Sequence, residues 1–214
     1  MKVEFKHLKI TDYLERAASA SATPGGGSVS ALIAALGSAL GQMVYNLTVT
    51  KKSYLANDEI TKAAVQSDWR AIESLQRDFT ELIDRDIEAF NVFMKALALP
   101  KETDQEKASR KQALADASVI AMEVPLATAG KSLELLQHLG SIARYGHKTC
   151  ISDAGVAALC AHAALQASVM NVRINLAGIE DREIREGAEK SCAAYIKESA
   201  VLTPEIMDIV YAQI

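Results

Sequence analysis

The reading of Thr23-Pro24-Gly25-Gly26-Gly27-Ser28, continued by Val29-Ser-Ala-Leu-Ile-Ala-Ala-Leu-Gly37-Ser-Ala-Leu-Gly41-Gln-Met-Val-Tyr-Asn46, decides the fold of this chain. It lies in a segment with no charged residue anywhere between Arg16 and Lys51. Three consecutive glycines allow backbone geometry that a Cβ resists. Ser28 then offers an N-cap hydroxyl to a helix built from alanine and leucine. Bare N–H groups at such a helix start can meet an anionic or carbonyl ligand. Gly37-xxx-Gly41 and the following Lys51-Lys52 also resemble the outline of a single membrane span. Against that, the segment is made of Ala, Gly and Ser and includes Gln42 and Asn46. A buried central helix needs the same lack of charge, and small residues let its neighbours approach closely. The expectation is the buried helix, with no membrane.

Outward from this segment the pattern is helical nearly end to end. A short helix is expected from Thr11 to about Ser19, with Leu14, Ala17 and Ala18 inward. The uncharged helix runs from Ser28 to about Thr48, and a long one from about Asp58 to Leu99, stopped by Pro100. The next runs from Thr103-Asp104 to Tyr145, with Pro125 expected to kink or split it. Ser152-Asp153 should cap an alanine-rich helix to about Ala177, closed by Gly178. Helices near 181–200 and 204–213 complete an all-α, single-domain bundle over residues 1–214.

Composition narrows the function. With 214 residues, 50% hydrophobic and 23% charged, the chain fits one soluble core. A net charge of −4, no basic stripe and 5% aromatic residues argue against a nucleic-acid surface. Three cysteines without a CxxC pair point to a reduced, cytoplasmic setting. The N-terminal Met1-Lys-Val-Glu-Phe-Lys-His7 carries charge where a signal peptide needs an apolar run. His147 with Cys150, and Cys160 with His162, lack the second half of a metal site, so no metal is expected. The glycine turn has neither the Lys-Ser/Thr ending of a P-loop nor the GxGxxG spacing.

Polar residues on apolar stripes carry the chemistry. Along the long helix the inward row is Val65, Trp69, Ile72, Gln76, Phe79, Ile83, Asp86, Phe90, Phe93, Leu97. Asp86 interrupts it between Ile83 and Phe90. A carboxylate there must be paired, hydrogen-bonded or carried into a cleft. A structural ion pair or helix-end contact in the core and a general acid–base role are both open. On the Ser152 helix a row of small residues, Ala157, Ala161, Ala164 and Ser168, turns polar at Asn171 and Asn175. These lie one turn apart on one face. They could tie helix ends together, hydrogen-bond across a dimer interface, or read a heterocyclic ligand edge. Asp153 is a favourable partner for the dipole of its helix. Lys51, Lys52 and Lys101 each follow an apolar segment, as solvated charges or at the mouth of a cleft.

Taken together, Pro24-Gly-Gly-Gly-Ser28, Met43-Val-Tyr-Asn46-Leu-Thr48, Lys51-Lys52-Ser-Tyr54, Asp86-Ile-Glu-Ala-Phe90, Leu99-Pro-Lys101, Val124-Pro-Leu126, Ser152-Asp153 and Asn171-Val-Arg-Ile-Asn175 resemble the methenyltetrahydrofolate cyclohydrolase / formiminotetrahydrofolate cyclodeaminase family. The likeness covers nearly the whole chain in order. It implies an all-helical homodimer with a folate cleft and no cofactor beyond the tetrahydrofolate substrate. Two reactions are implied: opening of the 5,10-methenyl ring by water to the 10-formyl compound, and closure of the formimino compound with loss of ammonia. By this resemblance Asp86, Lys51 and Asp153 are the candidate catalytic groups. Pro24 to Ser28, Asn46, Lys52, Tyr54, Phe90, Lys101, His147, Ser152, Asn171 and Asn175 would line the substrate. Two departures stand out. Ala56 falls where the bifunctional domains carry a histidine regarded as catalytic for deamination; free-standing bacterial cyclohydrolases lack it too and share Lys-Lys-x-Tyr. Gly146-His147 stands where the family usually has Gly-Asn. Cyclohydrolysis is therefore expected, with cyclodeamination or non-catalytic folate binding as alternatives.

Overall fold

A computed structural model describes residues 4–214; Met1 to Val3 of the charged N-terminal stretch lie outside the described residues. After a 3-10 turn at Phe5–His7 come α1 (Ile10–Ala17), α2 (Gly26–Thr48), α3 (Lys52–Leu55), α4 (Glu59–Leu97), α5 (Asp104–Tyr145), α6 (Ile151–Leu176) and α7 (Arg182–Tyr211). No strand occurs among the described residues.

The uncharged helix is central, as its composition demands. Helix α2 packs against α4, α5 and α6. Ala31, Ala34, Gly37, Ser38, Gly41 and Val44 are buried along it. Gly37 and Gly41 serve different neighbours. A Cβ on Gly37 would stand 3.0 Å from the Ala157 carbonyl and the Cys160 Cβ of α6, and one on Gly41 would be 2.7 Å from Leu139 of α5. Each glycine therefore sets an interhelical distance inside the bundle. By length and hydropathy α2, α5 and α6 are each apolar enough to cross a bilayer, and 56%, 39% and 50% of their apolar windows are buried within the protein.

Several boundaries depart from expectation for definite reasons. Helix α1 turns inward through Tyr13, while Leu14 is 59% exposed, because the Tyr13 phenol reaches the Ser28 hydroxyl at 2.9 Å. Pro125 does not split α5, and Pro204 does not divide the C-terminal segment, which is the single helix α7. A proline removes the hydrogen bond to the carbonyl four residues earlier. For Pro125 that carbonyl belongs to Ala121, and Asn175 of α6 supplies the missing donor at 2.7 Å. Helix α6 begins at Ile151 behind Cys150 as N-cap, so Ser152 and Asp153 lie within its first turn and do not precede it. By contrast, Asp58 caps α4 by accepting the Thr61 N–H at 2.8 Å. Thr103 and Glu106 form a reciprocal capping box on α5.

Helix directions define two ends of the molecule. Helix α2 runs antiparallel to α4, since Ser28 meets Asp86 and Gln42 meets Gln76. It also runs antiparallel to α6, since Gly26 meets Asn171 and Gly37 meets Ala157. One end thus gathers the start of α2 with the second half of α4 and the close of α6. The other gathers the close of α2 with α3 and the start of α6.

Candidate functional site

At the glycine end a cavity of about 270 Å³ opens between four helices. Its walls are Gly25, Gly26 and Gly27 at the head of α2, Asp86, Phe90 and Phe93 of α4, Ser118 and Ala121 of α5, and Asn171, Ile174 and Asn175 of α6, with Gly178 beyond.

The glycines act through proximity. None of them, and no other residue described, has a positive φ. A Cβ on Gly27 would be forced into the Asp86 carboxylate, 2.5 Å from its Cγ, and one on Gly26 would be 3.0 Å from Asn171 Oδ1. What the triple glycine provides is close approach of side chains from α4 and α6. The N-cap of α2 is Gly25, and no side chain caps it. Ser28 is thus inside the helix, not its cap, because the helix already starts at Gly26, behind Gly25. Its N–H donates to Asp86 Oδ2 at 2.9 Å. A carboxylate from another helix therefore takes the capping role, where the helix dipole favours negative charge.

Asp86 is half-buried among Gly27, Ala89 and the cavity. Burial pushes its pKa above the ordinary carboxylate value, and the Ser28 N–H pulls in the opposite direction. Both open roles meet in this residue: it holds a helix end and presents a carboxylate to a cavity. The two asparagines are similarly divided. Asn171 Nδ2 donates to Ala167 O at 2.8 Å, and Asn175 Nδ2 donates to Ala121 O at 2.7 Å. Each bond uses one N–H of its amide, so the carbonyl and the second N–H of each asparagine remain for a ligand. Phe90 and Phe93 add apolar ring surface to the same wall.

The remaining sequence candidates fall elsewhere. Pro24 is buried beside the turn. Lys101 lines a second groove of about 480 Å³ with Lys107, Arg110 and Lys111, which shares Gly178 with the cavity. Lys107 pairs with Asp104 and Lys111 with Glu180, both at 3.0 Å. Asn46, Lys51, Lys52, Tyr54, His147, Ser152 and Asp153 sit at the opposite end. Helix α2 spans 23 residues, so roughly 33 Å separates them from the glycine turn. There the His147 N–H donates to Thr48 Oγ1 at 2.8 Å, and its ring meets Thr149 Oγ1 at 2.8 Å. Tyr54 is buried edge-on against Tyr45, which stacks on Trp69. Ser118, Ala121, Ile174 and Gly178 were not legible as site residues. Only Gly178 left a mark, as a helix terminator; its Cα hydrogen faces Ser118, whose Oγ would be 2.7 Å from a Cβ there.

Comparison with known proteins bears on this geometry. Residues 9–194 match the family model described as formiminotransferase-cyclodeaminase. A methenyltetrahydrofolate cyclohydrolase of Methylorubrum extorquens is 37% identical over 205 residues, covering 96% of this chain and 97% of that protein. The formimidoyltransferase-cyclodeaminase of Gallus gallus is 34% identical over 84% of this chain, which matches 32% of that longer protein. A crystal structure of formiminotetrahydrofolate cyclodeaminase from Thermotoga maritima superimposes with a TM-score of 0.84 at 27% identity, over 98% of both chains.

Proposed function

The chain belongs to the formiminotransferase-cyclodeaminase family, and from that premise we propose that this one-carbon folate enzyme hydrolyses 5,10-methenyltetrahydrofolate to 10-formyltetrahydrofolate. The observation that carries the reading is a carboxylate, Asp86, fixed by a backbone N–H at the wall of a cavity lined with amides and aromatic rings.

The chemistry follows from the substrate's charge. Its methenyl bridge is an amidinium cation spread over two nitrogens, and an ionised Asp86 stabilises that cation in a site of reduced dielectric. Water adds to the bridging carbon while Asp86 orients it and accepts its proton. The tetrahedral carbon then loses its hydroxyl proton to solvent as the C=O forms and its bond to one ring nitrogen breaks; that nitrogen takes up a proton, and the formyl group stays on the other. Asn171 and Asn175 would hold the pterin edge through their carbonyls. The glycine turn admits the ligand close to backbone, and the groove containing Lys101 would meet the glutamate tail. In this reading the tetrahydrofolate derivative is the sole small-molecule ligand, with no cofactor or metal. The protein is a cytoplasmic homodimer, and neither nucleic acid nor membrane takes part.

The likeness to the Thermotoga maritima protein favours a second reaction, ring closure of formiminotetrahydrofolate with loss of ammonia. That reaction passes through the same kind of tetrahedral carbon, so one site suits either. Ala56, where bifunctional domains place a histidine, weighs toward hydrolysis. Decay of methenyltetrahydrofolate absorbance above the spontaneous rate, with no ammonia from the formimino compound, is the expected result. Ammonia release without ring opening would select the second reaction.

A further inference from the structure

Resting on the hydrolytic reading, we infer that each active site is shared between two copies of the chain, with Asp86 from one and Lys51 from the other. Ring opening requires a proton for the departing nitrogen. Among the described residues, the cavity lining contains no lysine, arginine or histidine, and its Ser118 hydroxyl is already given to Leu114 O at 2.8 Å. Apart from the proton that Asp86 takes from the attacking water, the cavity therefore has no acid of its own. At the far end of α2 the reverse holds. Lys51 and Lys52 are exposed there, and neither engages a carboxylate among the described residues.

The surface between these ends is built to be covered. Helix α2 has no charge along its length, and α6 has none from Ala154 to Val172. Because the two run antiparallel with Gly37 against Ala157, their outer rows lie side by side. Leu36 is 53% exposed, Leu47 46%, Leu159 49% and Met170 69%. Ile174, 75% exposed, continues the α6 row into the cavity wall. A charge-free face on a chain with 23% charged residues is matched by another uncharged face, and a second copy supplies one.

Charge selects the orientation. A two-fold axis perpendicular to α2 sets the face against itself with the helices reversed. The Lys51-Lys52 end of the partner subunit then approaches the Asp86 end of the first. In the other arrangement, with the helices parallel, carboxylate would lie by carboxylate and lysine by lysine. Reversal also closes the mouth beside Ile174 and excludes water around the amidinium. Lys51 of the partner subunit would give its proton to the departing ring nitrogen, and solvent would restore it.

Heterodimers test this. Asp86→Asn and Lys51→Met, each alone, should lower kcat/KM by at least about 100-fold. Co-expressed with two different tags and purified through both, the mixed dimer carries one wholly wild-type site. It should recover about half of the wild-type rate per dimer. Leu159→Asp, at an exposed position, should give a helical monomer by light scattering and circular dichroism, without turnover. An inactive mixed dimer, an active Lys51→Met protein, or an active monomer would overturn the shared site. If the wild type opens no methenyl ring, the hydrolytic reading fails by itself. Titration with 5-formyltetrahydrofolate then decides the shared site: binding by the wild-type dimer at least about tenfold tighter than by the Leu159→Asp monomer supports it, and equal binding overturns it.

Discussion

Asp86 serves structure and chemistry through one carboxylate. Oδ2 holds the Ser28 N–H at 2.9 Å, while burial raises the pKa of the group. Between the unfolded and folded pKa values the native state binds more protons, so stability falls as pH rises through that window. At neutral pH the ionised form is therefore held at a cost to stability, as functional sites often are. Asp86→Asn keeps the acceptor for Ser28 and removes the buried charge. It should melt at or above the wild-type temperature by calorimetry while losing turnover. The pH profile of kcat/KM in the wild type should rise with pH, on an acid limb above the ordinary carboxylate value, because the ionised form acts. A limb at or below that value would contradict the assignment. Gly27→Ala tests the same contact from the other side. Its Cβ would displace the carboxylate from Ser28 and should cost about 1–3 kcal/mol in urea unfolding, with activity lost.

Among the elements, α5 shows how a proline is accommodated mid-helix. Pro125 leaves the Ala121 carbonyl without its helical donor, and Asn175 answers from α6 at 2.7 Å. Asn175→Leu should then cost about 1–3 kcal/mol by urea unfolding, the penalty for an unsatisfied buried acceptor. Pro125→Ala restores a helical N–H to Ala121 and should relieve most of that loss in the double variant; additive losses would show that the contact is incidental. The helices themselves were legible because their apolar periodicity, caps and terminators agree. The continuity of α5 and α7 was not, because it depends on partners far away in sequence. The glycine turn was legible as special, but for the wrong cause. Its φ angles are ordinary, and the constraint is the nearness of Asp86 and Asn171, which only tertiary packing reveals.

For the whole molecule, the bundle sorts candidate residues by end. Asp86, Asn171 and Asn175 could be found as polar breaks in inward stripes, and the fold brings them to one cavity. Lys51, Tyr54, His147 and Asp153 were associated with them by motif, yet a single chain sets them a helix length apart. That distance was implicit in the uncharged helix expected between the glycine turn and Lys51, which in the fold is 23 residues long; motif resemblance joined its two ends into one site regardless. The groove containing Lys101 adjoins the cavity at Gly178. Lys101→Ala should raise KM several-fold for polyglutamylated substrate and leave kcat unchanged, an effect that weakens with added salt. The most direct measurement is the decay of 5,10-methenyltetrahydrofolate absorbance with wild-type and Asp86→Asn protein side by side. The account predicts decay well above the spontaneous rate for the wild type and the spontaneous rate for the variant. Decay at the spontaneous rate with wild-type protein, or equal acceleration by both, would contradict it.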